Sequence, residues 1–63
     1  MEKQHFTKYT FTDQRTGDVI RYMDINDRLT DHVVRLKKMQ IQIFNEMRIP
    51  VTSIAYVATN PSN

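Results

Sequence analysis

The spacing of hydrophobic positions changes twice along this chain. From His5 to Thr12, and again from Val19 to Met23, aromatic and β-branched residues alternate with polar ones, the two-residue period of a half-buried strand. From about Asp27 to Met47 the apolar residues recur at steps of three and four, the period of a helix. After Pro50 the alternation returns through Val51 to Ala58.

These patterns predict a small single α+β domain of order β-β-α-β, a three-stranded sheet with one long helix packed on one face. The expected spans are a hairpin over about 5–23, a helix over about 27–48, a strand over about 51–58 and a polar tail over 59–63.

Local chemistry supports these divisions. Asp13 to Asp18 concentrates turn residues around Gly17, the only glycine, which suits a positive φ at the close of a hairpin loop. Asp24 and Asn26 are candidate caps for the helix, and Asp31 with Arg35 forms a favourable (i, i+4) pair. Pro50 disfavours α geometry at Ile49 and stops the helix near Met47 or Arg48. A right-handed crossover through the helix puts strand three beside strand one, order 2-1-3, with 1-2-3 as the alternative.

On a helical wheel Leu29, Val33, Leu36, Ile43 and Met47 form the core stripe, with Met39 and Phe44 at its flanks. Gln40 lies near the middle of that stripe and needs a partner at the sheet edge or in a helix pair. Val34 and Ile41 point elsewhere. Single exposed apolar residues are ordinary, but these two align with each other near Phe44 and Lys37, as a contact with a second chain would require.

One helix covers one sheet face. If the small residues Val51, Ser53, Ala55 and Val57 pack under it, with Tyr9, Phe11, Ile20 and Tyr22, the other face presents Phe6, Lys8, Arg21, Ile54 and Tyr56. An open face of that kind calls for a cover, either another copy or a target.

Sixty-three residues bury only about 60% of the surface of the unfolded chain, and with no Cys nothing covalent reinforces the core. Self-association, as a homodimer, is therefore expected. The opening Met1 to His5 has no apolar segment and does not read as a signal peptide, and no run is long enough to span a bilayer, so no membrane role and a cytoplasmic location are expected. Nine basic against seven acidic residues, net +2, is a mixed surface that permits nucleic-acid contact without arguing for it.

No candidate chemistry survives comparison with simpler roles. Asp24, Asp27 and Asp31 suit a helix N-terminus better than a metal site, and His5 and His32 lack the spacing of zinc ligands. Ser53 and Ser62 sit in no nucleophile context, and so small a domain leaves little room for a ligand pocket. No catalytic, cofactor or metal residues are assigned, and an enzyme is not expected.

What remains is a protein-binding module, a regulator or inhibitor occupying a surface on a larger partner, of a size that phages and other mobile elements often encode. Phe6, Lys8, Arg21, Val34, Ile41, Ile54 and Tyr56 are its candidate contact residues. The alternative is single-stranded nucleic acid on the open face, with Phe6 and Tyr56 stacking on bases and Lys8 and Arg21 on phosphates.

Overall fold

The computed structural model describes residues 6–28 and 31–59. The elements are β1 (Phe6–Asp13), β2 (Val19–Asn26), α1 (His32–Met47), a single 3₁₀ turn (Val51–Ser53) and β3 (Ile54–Thr59). The sheet has the order β2-β1-β3, with β1 antiparallel to both neighbours. This is the α+β, β-β-α-β fold that the patterning predicts. His5, the core assignment of Leu29 and tail residues 60–63 lie outside the described residues.

The hairpin closes at Asp13 and Asp18, where the Asp13 amide donates to the Asp18 carbonyl at 2.9 Å. Gly17 takes φ +82° and donates to the Asp13 carbonyl, so the lone glycine sits where a left-handed residue is needed. Asp13 also ties the loop down, accepting from the Arg15 amide at 2.9 Å and from its guanidinium at 3.0 and 3.1 Å.

Four boundaries differ from expectation. β2 runs through Asp24, Ile25 and Asn26 because Ile25 continues the inward alternation opposite Thr7 and is fully buried. Asp24 and Asn26 therefore do not cap the helix; Asn26 instead accepts from the Arg28 amide in the turn that follows. The helix begins at His32, with Asp31 preceding it. β3 begins at Ile54, since Val51–Ser53 is a 3₁₀ turn, and extends to Thr59, which the sequence reading gave to the tail.

The core is Tyr9, Phe11, Ile25, Leu36, Ile43, Ile49 and Ile54, with Ile20, Met23 and Met39 packed against it. Full burial of each of the largest side chains, Phe11, Ile25, Leu36 and Ile43, contributes about 1.5–3 kcal/mol. At its C-terminal end α1 stops without a glycine. Arg48 itself adopts the left-handed conformation, φ +60°, and its amide donates to the Phe44 carbonyl at 2.7 Å.

Directly opposed residues in a ladder share a face. Tyr9 and Phe11 thus lie on the helix face with Met23 and Arg21 of β2 and with Ala58 and Tyr56 of β3, and Ile54 joins them opposite Asp13. Ile54, Tyr56 and Arg21 are consequently on the helix face, the reverse of the expected arrangement, while Tyr22, Ala55 and Val57 are on the other.

Two physical causes account for the reversal. The register slips between Phe11 and Thr12, leaving Ile20 without a direct opposite and changing the alternation phase within β2. The 3₁₀ turn likewise resets the phase before β3.

Candidate functional site

The position of α1 on the sheet defines the exposed surface. Side chains of α1 meet β2 near both ends of the helix. At its start, the His32 ring meets the Asn26 carbonyl through Nε2 (3.3 Å) and the Tyr9 hydroxyl through Nδ1 (2.8 Å). Near its end, Glu46 accepts from Arg21 at 2.6 Å, and Arg21 also reaches the Met39 sulfur at 3.6 Å. Met39, His32 and Glu46 sit seven residues apart on the side turned to β2.

The opposite flank of α1 faces β3. Gln40 extends from it to donate to the Ile54 carbonyl at 2.8 Å. Beyond that bond the helix does not cover β3. Tyr56 packs edge-on against Tyr9 and tilted against Phe11, yet remains 38% exposed, and Ala58 is exposed as well.

At about 100° per residue, Val33, Gln40, Phe44 and Met47 line the β3 flank, and Val34, Lys37, Ile41 and Arg48 continue outward from it. Val33, Val34, Ile41 and Met47 are each at least half exposed, and Phe44 is 38% exposed. Val33 and Met47, expected in the core, are outside it because the buried side of the helix is narrow and centred on Leu36 and Ile43.

The result is a continuous apolar border from the outward side of α1 to the bare helix face of β3. Lys37 of α1 and Arg48, the left-handed residue that follows it, are its charges. Arg48 lies over the Phe44 ring at 5.8 Å. Val34 and Ile41, singled out by sequence, belong to this border, and so does Tyr56. Val33, Phe44 and Met47 were missed as contact residues because their spacing reads as core; the structure buries only Leu36 and Ile43 of that stripe.

The uncovered sheet face is more polar than expected. It holds Phe6 and Lys8 of the candidate set, with Thr10, Thr12, Tyr22, Asp24, Ala55 and Val57. Lys8 Nζ lies 4.8 Å over the Tyr22 ring. Tyr22 and Val57 are more than half exposed, separated by Thr10 of β1. The four residues expected to bind single strands do not share a face: Arg21 and Tyr56 are on the helix side, Arg21 being engaged by Glu46.

Among the described residues no group of three or more His, Cys, Asp or Glu is placed to hold a metal ion. Asp24 is opposite Lys8 on β2, and Asp27 accepts from the Thr7 hydroxyl. A shallow depression of about 340 Å³, open to solvent, lies between β2 and α1 and is lined by Met23, Arg35, Lys38, Met39 and Gln42. Its volume exceeds the size expected for so small a domain, but it is open to solvent rather than enclosed. No described helix is long and apolar enough to cross a membrane.

Two carboxylates are held below their usual range. Asp13 is lowered by the side-chain and amide bonds from Arg15, and Glu46 by the bond from Gln42 and then by Arg21. Both are structural ties, one in the hairpin loop and one between α1 and β2.

No family model, curated protein or solved structure matches this chain.

Proposed function

We propose that this chain is a protein-binding module, a cytoplasmic regulator or inhibitor that acts by placing the α1–β3 border against another protein. The observation that carries the reading is the row of exposed apolar side chains, Val33, Val34, Ile41, Phe44 and Met47, running into the exposed Tyr56. Scattered apolar residues are normal on a protein surface, but a contiguous patch with a few cationic residues at its margin has the composition of an interface centre. The Cys-free sequence is compatible with a reducing compartment.

The test is quantitative capture on immobilised wild-type chain and on Ile41→Glu and Phe44→Glu variants. The reading expects at least one protein, a second copy included, to be retained by the wild type and lost by both variants. Equal retention by all three would overturn it. Salt-sensitive retention of single-stranded oligonucleotide, lost on Lys8→Ala, would replace it with the nucleic-acid alternative.

A further inference from the structure

The geometry points to strand addition at the free edge of β3: an extended, uncharged segment of the partner protein pairs with the main chain of Tyr56 and Ala58 and lengthens the sheet by one strand. This rests on the α1–β3 border being a protein interface, and it names the part of the partner that the sheet side of the border takes.

The direction of each main-chain group in β3 follows from its first contact with β1. The Gln14 amide donates to the Ser53 carbonyl at 2.8 Å, which makes that pair a hydrogen-bonded position of the antiparallel ladder. Such positions alternate. In the register of β1 with β3, Ala55, Val57 and Thr59 therefore bond inward, opposite Thr12, Thr10 and Lys8. Ile54, Tyr56 and Ala58 aim their main-chain groups at the open edge instead. Ile54 is already provided for, since its carbonyl accepts from Gln40 and its amide donates to the Val51 carbonyl. Tyr56 and Ala58 are not: among the described residues, no group bonds their amides or carbonyls. Gln40 thus stands in for a neighbouring strand at one residue, and the edge beyond it is open.

This edge carries no device against pairing. Ile54-Ala55-Tyr56-Val57-Ala58-Thr59 has neither charge nor proline, whereas β2 at the other edge holds Arg21, Asp24 and a register slip. Donors and acceptors alternating along a straight line are matched by an extended main chain, the mode by which open sheet edges take peptide segments. Side chains set the class of segment. Residues opposite Tyr56 and Ala58 would share their face, beside a Tyr56 ring that is 38% exposed. The residue opposite Val57 would lie on the other face, beside a side chain that is 60% exposed. Uncharged β-branched or aromatic residues suit both faces. A second copy joined here would leave the exposed stripe of α1 outside the contact, while a partner's segment leaves its parent protein free to meet that stripe.

The probe is a capped five-residue peptide of valine alternating with threonine, and its control carries proline at the central position. Amide hydrogen exchange is followed residue by residue on the full chain as peptide is raised to millimolar concentration. The Tyr56 and Ala58 amides are expected to exchange about threefold or more slowly with the probe and to ignore the control, while Val57 and Thr59, bonded to β1, do not change. Ala58→Pro removes one outward donor and no bond to β1, so it should keep cooperative thermal unfolding and abolish the slowing at Tyr56.

No slowing at either amide of the wild type would overturn strand addition, whatever the variant does. Slowing that grows with protein concentration alone, with light scattering giving twice the 7.5 kDa chain mass, would overturn it in favour of a second copy. In the capture experiment, a protein lost on Ile41→Glu but fully retained by Ala58→Pro would end strand addition and keep the protein-binding reading. Retention indifferent to both substitutions would end both.

Discussion

The side-chain amide of Gln40 donates to the main-chain carbonyl of Ile54 at 2.8 Å, joining the middle of the helix to the first residue of β3. A polar residue in an otherwise apolar helix stripe thus takes the place of a missing strand at the sheet edge. Gln40→Leu should leave that carbonyl without its partner and lower stability by about 1–2 kcal/mol in urea unfolding. Loss much below that would mean that the carbonyl is adequately solvated without Gln40.

Tyr9 and His32 form a corresponding tie at the start of the helix. Their rings meet edge-on at 5.8 Å, and the Tyr9 hydroxyl is 2.8 Å from Nδ1. A ring protonated at Nε2 donates to the Asn26 carbonyl and accepts the Tyr9 hydroxyl at Nδ1. Tyr9→Phe keeps the ring packing and removes only this bond, so a loss of about 1 kcal/mol is expected in the same unfolding experiment.

The legibility of the sequence follows the scale of each feature. Element order and the 2-1-3 topology were readable because they depend on periodicity and on the crossover rule, both of which average over many residues. The sheet faces were not, because one slip at Ile20 and one 3₁₀ turn before Ile54 each change the alternation phase; no glycine or proline marks the slip, and Pro50, which caps the 3₁₀ turn, reads in the sequence as a helix stop. Asp24-Ile25-Asn26 resembled a helix start since its polar residues are good caps; what decides the matter is the pairing of Ile25 with Thr7, a long-range contact. Among the candidate contact residues, Val34 and Ile41 were visible from the wheel alone. Val33, Phe44 and Met47 became visible only once the structure confined helix burial to Leu36 and Ile43.

Acid should loosen the hairpin loop and the α1–β2 tie together. The carboxyls of Asp13 and Glu46 have folded pKa values lowered from their ordinary ones. Groups of this kind contribute stability that is present above the unfolded pKa, about 4, and lost as pH falls through the folded value. The thermal midpoint is expected to be flat from neutral pH down to about 5 and to drop below about 4. An Asp13→Asn, Glu46→Gln double variant should show a shallower drop; an unchanged acid profile would contradict the assignment.

Arg48 occupies a left-handed conformation that glycine adopts without strain. Arg48→Gly should therefore stabilise the helix end by about 0.5–1 kcal/mol, provided that the contact with the Phe44 ring contributes less than that. Thermal unfolding of the variant, at a concentration low enough to keep wild type and variant monomeric, gives the sign directly.

The most direct test of the α1–β3 border as a contact between copies is methyl accessibility to a soluble paramagnetic probe, measured in solution at low and high protein concentration. Val19, on the far strand, is about as exposed as Val33, Val34 and Ile41 and serves as the internal control. The account expects the methyls of Val33, Val34 and Ile41 to be broadened in dilute solution and shielded in concentrated solution, with Val19 broadened in both. Equal broadening of all four at every concentration would contradict it.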